Sequence, residues 1–260
     1  MPETIILSIL PFVFGALIGS FLNVCIYRLP LGLSIVSPPS SCPNCGAAVP
    51  FYLNVPILSY IVLRGRCSSC KAPFSARYPL VEALTGLMAV FTFMKFGASV
   101  DALIYFAFIC ALVVITFIDL DLQIIPNVIS LPGIALGFAA SFVLLDMTVI
   151  DSLIGLAFGG GILYLIAFGY HLITGQEGMG GGDIKLLAMI GAFLGWKGVL
   201  LTLLLSSFTG AITGGILMYA FGKGTKHAIP FGPFLALGAL LHLFFGESLI
   251  GWYIMRASGY

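Results

Sequence analysis

The chain has 260 residues, of which 60% are hydrophobic and only 8% are charged. Soluble globular domains carry about 25% charged residues, and a water-soluble fold of this size could not hide so much apolar surface, so the composition excludes a soluble protein and predicts a membrane protein. The net charge of +1, with no basic stripe outside one polar loop, argues against a nucleic-acid-binding protein.

Apolar segments of about 17–25 residues can cross a bilayer as helices. The chain offers eight segments for this role: 5–26, 79–96, 101–118, 127–145, 152–173, 184–196, 199–221 and 229–249. The sixth is short and rich in glycine, so a bundle with one span fewer is the alternative. The first segment has no basic residues before it and no small-residue cleavage site after it, which predicts a retained helix and not a signal peptide.

These segments predict an all-α polytopic membrane protein with about eight transmembrane helices. The predicted domains are a first helix at 1–27, a cysteine-rich loop at 28–78 and a transmembrane bundle at 79–260. Glycine pairs at GxxxG spacing, such as Gly155 and Gly159, are typical of helices that approach closely in lipid.

Lysine and arginine fall unevenly on the two sides of the predicted bundle. One side receives eight of them: Arg28, Arg64, Arg66, Lys71, Arg77, Lys185, Lys223 and Lys226. The other side receives three: Lys95, Lys197 and Arg256. Because cytoplasmic loops carry the excess of basic residues, we predict that the first side is cytoplasmic and that both termini are periplasmic.

The long polar loop contains two CxxC pairs. Cys42 and Cys45 form the first pair, and Cys67 and Cys70 form the second after an interval of 21 residues. Two such pairs predict a tetrahedral zinc site, which would be structural because four sulfur ligands leave no position for a reacting water. A redox dithiol and unligated cysteines are the alternatives, and a reducing cytoplasm disfavours structural disulfides.

Three carboxylates lie at or beside the ends of predicted membrane helices, where a charged side chain is unfavourable. Asp119 and Asp121 lie between the third and fourth spans, and Asp183 begins the sixth. The topology places all three on the cytoplasmic side. Two carboxylates from different helices that meet there would share a proton, so that one serves as a base for water and the other as an acid for a leaving amine.

Asp119 and Asp121 cannot both face Asp183, because on a helix they point about 200° apart. These residues alone do not choose between them, and an acid that caps a helix N-terminus is the alternative for each. Gly180, Gly181 and Gly182 precede Asp183 but fit no phosphate-binding motif. Such a run predicts accessible backbone where an extended substrate could lie, and an ordinary interhelical turn is the alternative.

Five motifs occur in a characteristic order along the chain. They are Gly19 to Pro30 (GSFLNVCIYRLP), the two CxxC pairs, Arg77 to Gly86 (RYPLVEALTG), the Asp-x6-Pro-Asn stretch from Asp119 to Asn127, and Met179 to Lys185 (MGGGDIK). Together they resemble the type IV prepilin peptidases, which are aspartyl intramembrane proteases of the GxGD type. The resemblance implies that Asp119 and Asp183 are the catalytic pair and that Asp121 is an additional acid.

The resemblance also implies the substrates and the cofactors. It implies removal of the leader peptide from type IV prepilins and from the pseudopilins of type II secretion, at the cytoplasmic face of a bacterial inner membrane. Members with the cysteine-bearing loop also N-methylate the new N-terminus with S-adenosylmethionine. Glu82 is a candidate ligand of this methyl donor, and pairing with Arg77 or another loop base is the alternative.

The sequence allows several roles for Lys185 and more than one class of function. Lys185 either tunes the carboxylate pair, meets an anionic substrate or lipid group, or extends to the membrane surface as a snorkelling lysine.

A transporter or channel is the rival function, because broken helices and buried acids occur there too. An assembly scaffold with an inactive site is a second rival, which the presence of both aspartates disfavours.

Overall fold

A computed structural model describes residues 2–176, 179–221 and 229–257. In this part of the chain there are eight α-helices, one 3-10 helix at Phe51–Leu53 and no strand beyond isolated bridges. The α-helices are α1 (Pro2–Arg28), α2 (Leu58–Val62), α3 (Arg77–Phe96), α4 (Val100–Leu122), α5 (Asn127–Ala140), α6 (Val149–Thr174), α7 (Gly181–Phe221) and α8 (Gly232–Ala257). The predicted all-α fold is confirmed. Lys223 and Lys226, which the orientation prediction uses, lie outside the described residues.

Six helices in the described ranges are long and apolar enough to cross a membrane, namely α1, α3, α4, α6, α7 and α8. The predicted fourth span, 127–145, corresponds to α5, which has 14 residues. A helix of that length rises about 21 Å, which is less than the ~30 Å hydrocarbon core. The predicted count of eight is therefore approximate.

Helix α7 combines the predicted sixth and seventh segments, and it is broken at Gly195. The backbone there has φ 67° and ψ −178°, outside the helical region, and glycine adopts positive φ without steric cost. A continuous helix would separate residues 191 and 199 by about 12 Å along its axis. A Cβ atom placed on Gly191 would instead lie 2.9 Å from Val199 Cγ2, so the chain bends back on itself at Gly195.

The chain forms two compact units, residues 1–114 and 115–260. In the first unit α1 packs along α3, and in the second α7 packs against α5, α6 and α8. Close backbone approach explains some of the GxxxG spacings. A Cβ atom on Gly155 would meet the carbonyl oxygen of Gly191, and one on Gly159 would lie 2.5 Å from the carbonyl oxygen of Leu187. The predicted division into helix, loop and bundle stays a prediction.

Candidate active site and metal centre

The two aspartates predicted to be catalytic lie at helix ends within the second unit. Asp119 lies in the last turn of α4, and Asp183 lies in the first turn of α7. Asp119 is only 4% exposed, whereas the side chain of Asp121 is exposed. Asp119 and Asp183 are close enough for their charges to repel each other, so the fold brings together two carboxylates from different helices.

Helix α8 supplies a contact to this pair that the sequence analysis missed. The backbone N–H of Gly232, the first residue of α8, donates a hydrogen bond of 2.9 Å to Asp119 Oδ2. A helix N-terminus has unpaired N–H groups and favours a negative charge. A Cβ atom on Gly232 would lie 2.6 Å from the same oxygen. The available signal is the glycine between two prolines, Pro230 and Pro233, at the start of the last span.

The glycine run before Asp183 has three distinct environments. A Cβ atom on Gly180 would lie 3.8 Å from Asp183 Oδ2, and one on Gly182 would lie 2.9 Å from the Cβ of Ile125. A Cβ atom on Gly181 would meet no other atom within 4 Å. Gly182 is therefore a packing position and Gly181 is open, while the predicted role of the run in substrate positioning stays a prediction.

Lys185 connects the starts of two helices. Its Nζ donates a hydrogen bond of 2.8 Å to the side-chain oxygen of Asn127. Asn127 is the first residue of α5, and Lys185 lies near the start of α7. The contact links the start of α5 to the segment that carries Asp183, and the roles predicted for Lys185 stay predictions.

The four loop cysteines converge on one point in the first unit. The sulfur atoms of Cys42, Cys45, Cys67 and Cys70 all lie within 4.8 Å of one another. Those of Cys42 and Cys70 are 3.8 Å apart, and those of Cys45 and Cys67 are 4.0 Å apart. Zinc–sulfur bonds of about 2.3 Å in a tetrahedron place the sulfurs about 3.8 Å apart. The cluster therefore fits a tetrahedral metal ion.

Each CxxC pair lies in the same kind of turn. The N–H of Cys42 donates to the carbonyl of Ala47 at 2.9 Å, and the N–H of Cys67 donates to the carbonyl of Ala72 at 2.9 Å. The isolated bridges Ser41–Ala48 and Arg66–Pro73 close the two turns at equivalent positions. Two copies of one local structure, 25 residues apart in the sequence, thus supply the two halves of the cluster.

Hydrogen bonds prepare part of the cluster for metal binding. The backbone N–H of Ala72 and then the side chain of Asn44 lower the pKa of Cys70 to about 6. The N–H groups of Cys70 and Ser69 lower the pKa of Cys67. The Ala47 N–H lowers the pKa of Cys45, but desolvation and hydrogen bonds with the other three thiols together raise it to about 11. A cation between the sulfurs would stabilise all four cysteines as thiolates, which is the form in which cysteines bind metals.

Glu82, the candidate ligand of the methyl donor, is a buried carboxylate in the first unit. It lies on α3, is 8% exposed, and accepts a hydrogen bond of 2.7 Å from the N–H of Ile57. The hydroxyl of Ser20 is a second hydrogen-bond partner. Glu82 is thus held by the loop and by α1.

These features define a class of protein: a polytopic helical membrane protein with a carboxylate pair at adjoining helix ends and a four-cysteine loop. Residues 106–215, which include both aspartates, match the type IV leader peptidase family. Residues 13–96, which include the cysteines and Glu82, match the bacterial peptidase A24 N-terminal domain.

Known relatives resemble the chain over nearly its whole length. A "Prepilin leader peptidase/N-methyltransferase" of Pseudomonas putida is 39% identical, and the match covers 91% of this chain and 90% of the relative. Proteins of the same name from Aeromonas hydrophila (38% identical, 94% and 93% covered) and Legionella pneumophila (39% identical, 93% and 92% covered) are similar. The chain belongs to the type IV leader peptidase family, which confirms the resemblance found in its motifs. No solved structure matches it.

Proposed function

We propose that this chain is a membrane aspartic endopeptidase that removes the leader peptide of type IV prepilins and N-methylates the new N-terminal residue. The observation that carries the proposal is the proximity of Asp119 and Asp183, whose charges repel each other, inside the region that matches the leader peptidase family. The relatives carry both activities in their names. The names of the relatives described above give no support to the alternative of a transporter or channel.

The carboxylate pair would act as a general base and a general acid. Two like charges at close range cannot both ionise, so the pair holds one proton. The ionised carboxylate takes a proton from a water molecule, which attacks the scissile carbonyl, and the protonated carboxylic acid donates its proton to the leaving amine. The Gly232 N–H, which binds Asp119 Oδ2, fixes one carboxylate in place and supports its negative form.

The position of the pair suits a substrate that is partly in lipid. We propose that the substrates are type IV prepilins and the pseudopilins of type II secretion, whose basic leader stays in the cytosol while the following helix lies in the bilayer. The scissile bond then lies at the membrane surface, beside the accessible backbone at Gly181. The distribution of lysine and arginine supports a bacterial inner-membrane location with the site toward the cytoplasm and the termini in the periplasm.

Two cofactors belong to this proposal. The four cysteines would hold zinc in a closed structural site that stabilises the loop. S-adenosylmethionine would supply the methyl group. Metal analysis of the purified chain tests the first: we expect about one zinc per chain, and less than half an equivalent with all four cysteines reduced would contradict it.

The peptidase activity is tested by two substitutions of equal size and a matched control. Asp119→Asn and Asp183→Asn each remove one ionisable group, and both should abolish cleavage of a prepilin reconstituted with the chain in lipid. Asp121→Asn changes an exposed carboxylate two residues away and should cleave at the wild-type rate. Full cleavage by both of the first two variants would rule out the proposed pair.

A further inference from the structure

The first unit contains a cavity of about 320 Å³ that the peptidase mechanism does not use. It lies between the end of α1, the start of α3 and the cysteine turns, all within residues 20–82. Pockets for small ligands have volumes of about 300–1,000 Å³. The cavity therefore has room for a compact small molecule.

Charges in the cavity wall favour a ligand with a cation at one end. Among the described lining residues, Glu82 is the only carboxylate. A carboxylate has about four lone-pair sites, and the N–H of Ile57 and the hydroxyl of Ser20 occupy two of them. Two arginines also line the cavity: Arg28, which donates hydrogen bonds to the carbonyls of Ser34 and Pro38, and Arg66, which is exposed. A buried anion and an accessible guanidinium together suit a ligand that carries both signs of charge.

The backbone that faces Glu82 is strained. Ile57 has φ 63° and ψ −52°, close to the rare, strained form of the γ-turn, and the N–H of Leu58 accordingly donates to the carbonyl of Pro56. A β-branched residue is a conformational outlier at positive φ. Such strain persists where the surroundings enforce it and is concentrated at functional sites. Here it directs the Ile57 N–H at the Glu82 carboxylate.

Aromatic and polar side chains complete the wall. Tyr27 and Tyr60 line the cavity, and aromatic faces are surfaces on which a nucleobase can stack. Asn23, which is 8% exposed, also lines it and is fixed by a hydrogen bond from its amide to the carbonyl of Tyr78 at 3.1 Å. These groups match a ligand with an aromatic base and a polar, charged chain.

We infer that this cavity is the binding site of the methyl donor, S-adenosylmethionine, and that Glu82 is the partner of its positive charge. The inference rests on the proposed function, since it locates the second activity. The sulfonium and ammonium groups of this ligand are cations that a buried carboxylate would bind, and its own carboxylate suits the guanidinium of Arg66. The methyl-transfer site then lies in the unit that matches the N-terminal domain family, and the peptidase pair lies in the other unit.

The methyl transfer needs no reactant besides the cleaved pilin and S-adenosylmethionine. The lone pair of the neutral N-terminal amine of the cleaved pilin attacks the methyl carbon. A nitrogen–carbon bond forms as the carbon–sulfur bond breaks, and the electron pair of that bond remains on sulfur, which becomes a neutral thioether. The methylated nitrogen then releases one proton to water.

The test measures ligand binding to the full chain, purified in lipid nanodiscs with its metal content verified. Two probes are compared: S-adenosylmethionine, which is charged, and 5′-methylthioadenosine, which has the same base and sugar but no charge. The variant is Glu82→Gln, whose side-chain oxygen can still accept from the Ile57 N–H. The control is Asp101→Asn, which changes another carboxylate of the first unit that is also 8% exposed but does not line the cavity.

We expect Glu82→Gln to raise the Kd of S-adenosylmethionine at least tenfold and to leave that of 5′-methylthioadenosine within twofold of wild type. Asp101→Asn should change neither. Equal losses for the two probes in Glu82→Gln would assign Glu82 a structural role and overturn the inference, as would wild-type affinity for S-adenosylmethionine.

Failure of the inference and failure of the proposed function give different results. If the wild-type chain methylates a cleaved pilin and Glu82→Gln binds the donor as well as wild type, only the location of the site is wrong. If the wild-type chain cleaves prepilin but neither binds S-adenosylmethionine nor transfers methyl groups, the proposed second activity fails and the inference falls with it.

Discussion

The hydrogen bond from the start of α8 to Asp119 makes Gly232 a sensitive position. Substitution Gly232→Ala adds one methyl group to the first turn of α8. That methyl carbon would lie 2.6 Å from Asp119 Oδ2 and 3.2 Å from its Cγ, whereas ordinary van der Waals contacts begin at 3.4 Å. The carboxylate or the helix end must therefore move by about 1 Å.

The size of the effect follows from the geometry of catalysis. Displacement of a reacting group by about 1 Å costs on the order of 10²-fold in rate. This corresponds to about 2.7 kcal/mol of transition-state stabilisation. The Gly232 N–H would also lose its alignment with Asp119, which removes a donor that supports the ionised carboxylate. We therefore expect Gly232→Ala to cleave prepilin about 100-fold more slowly than wild type.

The assay is single-turnover cleavage of a prepilin in nanodiscs, with unfolding followed in parallel. Gly251→Ala is the matched control, because Gly251 lies in the same helix and a Cβ atom there meets nothing within 4 Å. The control should cleave at the wild-type rate and unfold at the same temperature or slightly higher, since alanine favours helix more than glycine does. A folded Gly232→Ala protein that cleaves within twofold of wild type would refute the proposed role of this contact.

Three further predictions concern the loop and the neighbouring helix starts. Lys71 has φ 61°, and the equivalent residue of the other cysteine turn is Gly46 with φ 70°. Because glycine adopts positive φ without steric cost, Lys71→Gly should stabilise the metal-loaded loop by up to about 1 kcal/mol, and Gly46→Ala should destabilise it by a similar amount. Thermal unfolding measures both changes. Lys185→Met and Asn127→Ala break the same 2.8 Å hydrogen bond; each should slow cleavage, and the double variant should be no slower than the single ones, whereas additive effects in the cycle would argue against coupling. Cys67→Ser should reduce bound zinc below half an equivalent by mass spectrometry, and an unchanged zinc content would count against the four-cysteine site.

Composition and the spacing of residues predict the all-α fold and the two cysteine turns, because both depend on interactions between residues that are close in the sequence. Long apolar segments must become helices in lipid, where each backbone polar group needs a partner, so the all-α fold follows from the hydropathy pattern alone. The two CxxC turns are equally local, since each is closed by hydrogen bonds within a few residues. The count of spans was less accurate, because α5 is short and α7 bends back at Gly195.

The residues alone could not predict which distant segments of the chain come into contact. The choice between Asp119 and Asp121 depends on the rotation of α4 about its axis, and the motif resemblance was needed to favour Asp119. The contact of Asp119 with Gly232 joins residues 113 positions apart. The hydrophobic periodicity of the sequence does not predict such a contact. Only Gly232, which lies between two prolines, indicates an unusual start of α8.

The proposed catalytic pair lies at helix ends for a physical reason. In the middle of a membrane helix all backbone N–H groups are already paired, and a carboxylate at the bilayer centre costs about 2.5–3.5 kcal/mol. At a helix N-terminus the first N–H groups are unpaired and the dipole favours an anion. Asp119 uses such a donor from α8, and Asp183 itself lies in the first turn of α7. A peptidase that keeps an ionised carboxylate in this fold must therefore place it beside a helix start, and Asp119, although it lies in the last turn of α4, meets this condition through the N–H of Gly232.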